Sequence, residues 1–361
     1  MSETELPYAV VIPTVGRPSL NVCLAALAES VGPLPRRVVI VDDRPLDDCN
    51  PLPVTVPTAL CERVEIVASC GNGPAGARNA GWSATTEPWI VFLDDDTLPS
   101  GNWARELARD LSRAGPEVGG VQGHIRVPLP SHRAPTDWER CTASLATARW
   151  ITADMAYRRQ ALEAVGGFDE RFRRAFREDS DLALRVKDAG WTLVVGDRQT
   201  EHPVRRTDRW VSVRAQAGNA DDVLMTRLHG RGWWRRAGAR RGRLPVHLAV
   251  TGAAVAAATC AVARRPRAAG ACAAVWLAGT AELALTRILR GPRNAREVTD
   301  MLLTSALIPP AACGHWLRGW WRHRQVRPWK ACSVSEPTPT GGGVSRPSVR
   351  PVARERVRGW R

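Results

Sequence analysis

Apolar residues in the first two hundred positions fall in short unbroken runs: 8–13 (YAVVIP), 36–43 (RRVVIVDD), 64–69 (VEIVAS) and 89–95 (WIVFLDD). The runs are rich in β-branched residues and do not alternate with polar ones, the pattern of parallel strands covered on both faces. Between them lie segments with helical spacing, 19–29 (SLNVCLAALAE), 75–85 (AGARNAGWSAT) and 103–115 (WARELARDLSRAG), the last with Ser100 or Asn102 as its N-cap. Further on, 176–191 (FREDSDLALRVKDAGW) predicts an amphipathic helix with Leu182, Leu184, Val186 and Ala189 on its apolar side, and 192–197 (TLVVGD) predicts another strand. Strand and helix alternate, so the fold class is α/β, a doubly wound sheet.

Ligands of such sheets bind beyond the carboxyl ends of the strands. Three predicted strand ends carry polar groups: Pro13-Thr14, Asp42-Asp43 and Asp94-Asp95-Asp96. Three adjacent carboxylates repel one another, and burying them unpaired is costly unless a cation neutralises them. Magnesium and manganese prefer oxygen ligands and often bind one or two carboxylates together with a substrate's phosphates. A solvated turn with capping aspartates is the alternative for this stretch and for Asp42-Asp43. Glu178, Asp179 and Asp181 open the amphipathic helix, where acidic residues are ordinary partners of the helix dipole; the functional alternative is a general base. His202 follows the 192–197 strand and suits either a structural role or an added metal ligand. The sequence GNGPAG (71–76) is a literal dinucleotide-binding pattern, but it follows the third predicted strand instead of the first, and it reads better as a turn that places Arg78 and Asn79.

Charge divides the chain. Residues 1–229 hold 27 Lys and Arg against 31 Asp and Glu, whereas 230–361 hold 24 against 5. The basic part contains 244–263, twenty residues without Asp, Glu, Lys or Arg, then 268–289, broken by Glu282, and a weaker stretch at 301–317 with Pro309-Pro310. About twenty apolar residues can cross a bilayer. Arginines flanking the first two stretches favour a hairpin with both ends in the cytoplasm, and Trp233-Trp234 and Trp320-Trp321 suit interfacial anchoring. Soluble helices packed on the preceding domain are the alternative. The domains expected are 1–229, catalytic; 230–320, basic, helical and membrane-associated; and 321–361, a basic tail expected to be disordered from its Pro, Gly, Ser and Arg content. The N-terminus lacks a secretory pattern, and the nine cysteines lack zinc spacing and lie in apolar stretches, as reduced core thiols would.

Seven segments in fixed order, VVIPTVGRP, VVIVDD, GPAGARNAGW, FLDDDTLP, TADMAYRRQALEAVGGFDERF, REDSDLALRVKDAGW and a final EH, resemble family-two, GT-A fold glycosyltransferases over about residues 7 to 210. The resemblance implies a GT-A type, mixed and mostly parallel sheet. It also implies roles for residues. Pro13, Thr14, Arg17, Asp42, Asp43, Arg78, Asp94 and Asp95 would bind the donor nucleotide. Asp96, Asp94 and His202 would hold a divalent metal, Mn2+ or Mg2+. Asp179, beside Glu178, would be the catalytic base, and Ala153, Asp154 and Trp191 would line the donor-sugar and acceptor side. The implied activity is inverting transfer from a nucleotide sugar, with UDP-sugar favoured over GDP- or dTDP-sugar. The acceptor expected is a glycan or lipid-linked hydroxyl, at the cytoplasmic face of the cell membrane, in cell-envelope or lipid-linked glycan synthesis. An NAD(P)-dependent oxidoreductase built on GNGPAG and a nucleic-acid-binding protein using the basic region are the rivals. The positive charge accompanies apolar segments and lacks an interleaved aromatic base-stacking pattern, so no nucleic-acid partner is expected.

Overall fold

The computed structural model describes residues 7–46 and 50–330, so the expected tail lies outside the described residues from 331 onward. Its strands are β1 (Tyr8–Thr14), β2 (Arg37–Asp42), β3 (Val64–Ala68), β4 (Trp89–Leu93), β5 (Leu98–Pro99), β6 (Val118–Arg126), β7 (Asp154–Arg158) and β8 (Thr192–Glu201). They form one mixed sheet in the order β3-β2-β1-β4-β7-β6-β8-β5. β3, β2, β1 and β4 run parallel, β7 is antiparallel to both β4 and β6, and β8 is again parallel to β6. The predicted mixed, mostly parallel α/β sheet is what the chain forms.

The helices are α1 (Ser19–Glu29), α2 (Gly73–Ser83), α3 (Trp103–Arg113), α4 (Asp137–Ala143), α5 (Arg159–Val165), α6 (Glu178–Asp188), α7 (Val211–Arg214), α8 (Gly218–His229), α9 (Trp233–Arg236), α10 (Leu244–Val262), α11 (Pro266–Leu289) and α12 (Ala295–Arg322). Successive strand residues point to opposite faces. Val10 and Ile12 pack with α1 and α3, while Val11, Val39 and Val41 pack with α2, α5 and α6. That double coverage explains the unbroken apolar runs. Each fully buried Val, Leu or Ile stabilises the fold by roughly 1.5–3 kcal/mol. β3 departs from expectation: it is the edge strand, with Ile66 50% exposed. The cysteines depart too. Of the seven described, Cys23 and Cys313 are buried, Cys61, Cys70 and Cys141 are exposed, and all seven are free. Neither predicted cap serves α3 through its side chain; the Ser30 hydroxyl, from another loop, accepts from the Ala104 N–H at 2.8 Å.

α10, α11 and α12 pack on one another, and α12 also packs along α8. α12 passes through Pro309 and Pro310, where two backbone donors are missing, so the helix extends well beyond the weak apolar stretch at 301–317. It ends at Arg322, and Val326 and Trp329 lie against a cluster built from α6, α8 and α9, so the chain is ordered past the expected tail boundary at 321. α10 and α11 are long and apolar enough to cross a membrane, and only 11% of each apolar window is buried. Val255, Val262, Val275 and Leu277 are all more than half exposed.

Candidate active site

The order of strands reverses between β1 and β4, since the chain winds outward to β2 and β3 before returning to β4. A crevice opens at such a reversal, beyond the strands' carboxyl ends. Here a pocket of about 220 Å3 is lined by Pro13 and Thr14 at the end of β1, Arg17 just past it, Asp43 after β2, Arg78 from α2, and Asp94, Asp95 and Asp96 after β4. Eight of the predicted residues therefore meet at one place. Val15, Pro74, Ala175 and Arg205 complete the lining.

The three aspartates differ in their surroundings. After β4 the chain turns sharply, with the Thr97 hydroxyl donating to the Asp94 carbonyl at 2.8 Å. Asp95 points inward and is satisfied: the Thr14 hydroxyl donates to one oxygen at 2.7 Å and Arg17 to the other at 2.8 Å. Asp94 accepts from Arg78 Nη2 at 2.8 Å, and the same guanidinium donates to Glu178 at 2.9 Å. Asp96 is 6% exposed, and its Oδ2 makes no hydrogen bond although Arg205 Nε lies 2.7 Å away. His202 Nε2 stands 3.6 Å from the other Asp96 oxygen. Burial, then the charge of Asp94, pushes the Asp96 carboxyl up, against His202 and Arg205.

Ligand atoms of Asp94, Asp96 and His202 lie within 4.8 Å of one another. Two carboxylate oxygens and an imidazole nitrogen are donors that would suit Mn2+ or Mg2+. Asp96 Oδ2, held by the Arg205 charge without a hydrogen bond, is an oxygen that a cation could take over from Arg205. The three residues therefore fit a divalent metal.

Glu178 and Asp179 open the first turn of α6; neither lines the crevice, but Glu178 is tied to it through Arg78, while Asp179 accepts from the Ser180 N–H. The residue before them, Arg177, has φ +77°, a left-handed conformation that costs a non-glycine side chain about 1–3 kcal/mol. It is held there by Asp222, 2.8 Å from its Nε, and by the rings of Phe176 and Trp233 on which its guanidinium sits. Glu178 is buried, and its Oε2 makes no hydrogen bond. Burial and the charge of Asp179 push Glu178 up to about 8, with Arg78 opposing. Burial also raises Asp179, against the Ser180 N–H, Arg177 and Arg78.

Other predicted site residues lie elsewhere. Asp42 does not line the crevice; Arg44 clasps both its oxygens, at 2.9 and 2.7 Å. Ala153 is buried against Ile125 and Ile151. Asp154, expected on the sugar side, is wholly buried, accepting from Trp103 Nε1 at 2.8 Å, Arg198 Nε at 2.8 Å and the Thr200 hydroxyl at 2.6 Å. Trp191 sits at the opposite end of the sheet, because β8 begins at Thr192 and runs ten residues before His202. That run is about 30 Å of strand. Asp181, the third acid of α6, is consumed by Arg185 at 2.6 Å and His229 at 2.8 Å. Sequence reasoning missed Arg205; its one signal was a position three residues past His202, on the same exit from β8.

Residues 9–178 match the family model described as Glycosyl transferase family 2. This region belongs to glycosyl transferase family 2. The crevice of the family-two region sits at the strand reversal, whereas GNGPAG follows the edge strand β3 and reaches the crevice only as a turn, through Pro74 and the Gly73 N–H that donates to Asp43. Curated relatives include the pre-mycofactocin glycosyltransferases of two Mycobacterium tuberculosis strains. Each is 29% identical over 211 residues, covering 53% of this chain and 43% of the relative. The match thus spans less than half the length of those relatives. Similar solved structures include Staphylococcus aureus TarS 1–349 in complex with UDP (TM-score 0.43, 13% identity, 88% of this chain and 92% of that one). GalNAc-T7 with UDP, GalNAc and Mn2+ is another (TM-score 0.42, 14% identity, 66% and 56%).

Proposed function

We propose that the chain transfers a sugar from a nucleoside diphosphate donor, a UDP-sugar in preference to a GDP- or dTDP-sugar, to an acceptor hydroxyl with inversion at the anomeric carbon. The observation behind this reading is the pairing, through Arg78, of an under-satisfied Asp94–Asp96–His202 cluster with the acid pair Glu178-Asp179. Thr14, Arg17 and Asp43 would hold the nucleoside. Asp94, Asp96 and His202 would hold the divalent cation, which supplies positive charge to the departing diphosphate. Asp179 takes the acceptor proton as the hydroxyl oxygen attacks the anomeric carbon. The bond to the diphosphate oxygen breaks on the opposite face. The upward push on Asp179 suits a base, because it brings the carboxylate closer to the proton affinity of its task. Arg78 keeps Glu178 and Asp94 in register, so donor end and base stay aligned.

The exposed apolar faces of α10 and α11 support attachment to a membrane, with the family-two region on its cytoplasmic face and a lipid-linked or cell-envelope glycan as acceptor. Calorimetry with UDP, with and without Mn2+, tests the donor site; tight metal-dependent binding is expected, and heat-silent titrations would overturn the reading. Proton NMR of the product's anomeric signal tests inversion. An alkaline carbonate wash tests the helices: retention in the pellet supports spanning, and full release excludes it.

A further inference from the structure

A second cavity, of about 390 Å3, opens between the start of α4, the segment 203–212 that leaves β8, and the first turns of α12. It shares Arg205 with the donor crevice, so the two are separated by one half-exposed side chain. Most of its wall lies beyond residue 178, outside the stretch matching the family. The wall is rigid. The Asp137 N–H donates to Glu297 at 2.9 Å, Arg287 reaches Asp137 at 2.8 Å and Ser212 at 3.0 Å, and Trp138 Nε1 donates to the Arg205 carbonyl at 3.0 Å.

Its chemistry narrows the occupant. Five arginines and five acidic residues line it, so the wall offers no excess charge for a phosphate or an ammonium group. Asp300 is only 8% exposed, and its Oδ1 makes no hydrogen bond, with Arg209 Nε at 3.4 Å. Arg209 supplies a charge to this oxygen but no hydrogen bond, so the buried carboxylate is incompletely satisfied. Carboxylates accept from hydroxyls, guanidiniums donate to them, and an indole offers a flat apolar face. A neutral ring bearing several hydroxyls uses all three.

We propose that this cavity binds a sugar or polyol ring of the acceptor, with the Asp300 carboxylate accepting a hydrogen bond from one of its hydroxyls. The proposal rests on the glycosyltransferase reading above and adds the acceptor's place on the fold. The test uses the full chain in a detergent without sugar, such as lauryldimethylamine oxide. Saturation-transfer NMR is run with methyl glycosides of glucose, galactose, mannose and rhamnose, and with 1,6-hexanediol as the control. At least one glycoside, and not the diol, should take up saturation. Asp300→Asn should weaken that binding about tenfold, the scale of one hydrogen bond to a charged group, and Trp138→Ala about fivefold, by removing the apolar face. UDP–Mn2+ affinity, measured on the same samples, should be unchanged in both variants. If UDP–Mn2+ binds but no glycoside does, or if both variants bind glycoside as the native chain does, the cavity assignment is wrong and the transferase reading stands. If the native chain fails to bind UDP–Mn2+, both fall together.

Discussion

Two groups of aspartates lie near the same end of the sheet, and they are built in opposite ways. In the interior, Asp154 and Asp110 surround Arg198, which is fully buried. Asp154 accepts from Trp103, Arg198 and Thr200, Asp110 accepts from Arg198 Nη1 and the Asp197 N–H, and the remaining Arg198 donors reach the Val121 and Asp154 carbonyls. In the crevice, Asp96 retains an oxygen without a hydrogen bond, and Glu178 retains another. The inner group is closed chemistry that holds strands together. The outer group carries fewer hydrogen bonds beside the pocket, Asp96 Oδ2 meeting only the charge of Arg205 and Glu178 Oε2 making none, the condition for taking a cation or a proton. The number of acids does not separate the two; the number of donors does.

The comparison can be broken at several points. The largest effect expected is at Asp179: Asp179→Asn should lower turnover by about 10²–10⁴-fold, the usual worth of a general base, while the unfolding midpoint stays put. Near-normal initial rates would remove it from the role. Next, Asp154→Ala should cost about 3–5 kcal/mol in denaturant unfolding, since it strands the buried Arg198 charge; a change below 1 kcal/mol would show the inner group to be less closed than its contacts imply. Asp96→Ala should keep the fold but weaken UDP–Mn2+ binding by about 10–100-fold or more, since even outer-shell partners of metals are worth that much. Unchanged calorimetric affinity would exclude Asp96 as a ligand. The smallest effect is a slope. The folded chain holds the Glu178 proton up to about 8, against an ordinary value of 4.5. A raised acid stabilises below its unfolded value and loses that contribution as pH climbs through its folded one. Melting temperature should therefore fall between about pH 4.5 and 8, and Glu178→Gln should flatten the decline. Parallel curves for both proteins would remove Glu178 as the source.

Much of this was legible in the sequence, for identifiable reasons. β1, β2 and β4 are buried on both faces, so their apolar runs stand out, and α1 and α6 repeat at helical spacing. β6 does not stand out, because its sequence VGGVQGHIR is glycine-rich and glycine weakens strands. Those glycines make room: a Cβ on Gly119 would meet the Trp191 side chain at 2.7 Å, and one on Gly123 would meet Asp154 Oδ2 at 2.4 Å. Asp154 was misplaced because its partner Arg198 is 44 residues away, and Trp191 because adjacency to a strand does not say which end of the sheet it occupies. Arg205 pairs with Asp96 across more than a hundred residues, a contact that no local pattern announces.

The Arg287 guanidinium has a consequence for anyone who shortens this protein. It donates to Thr304 and Ser305 on α12 and to Asp137 and Ser212 beside the second cavity, tying four positions from three parts of the chain. Trimming at residue 229 to obtain a tidy soluble fragment would remove that knot, bare the side of α8 that α12 covers, and leave α4 and the β8 exit unbraced. A fragment that still folds would then be a poor witness to acceptor choice, because the part cut away is also the part that builds one wall of the second cavity.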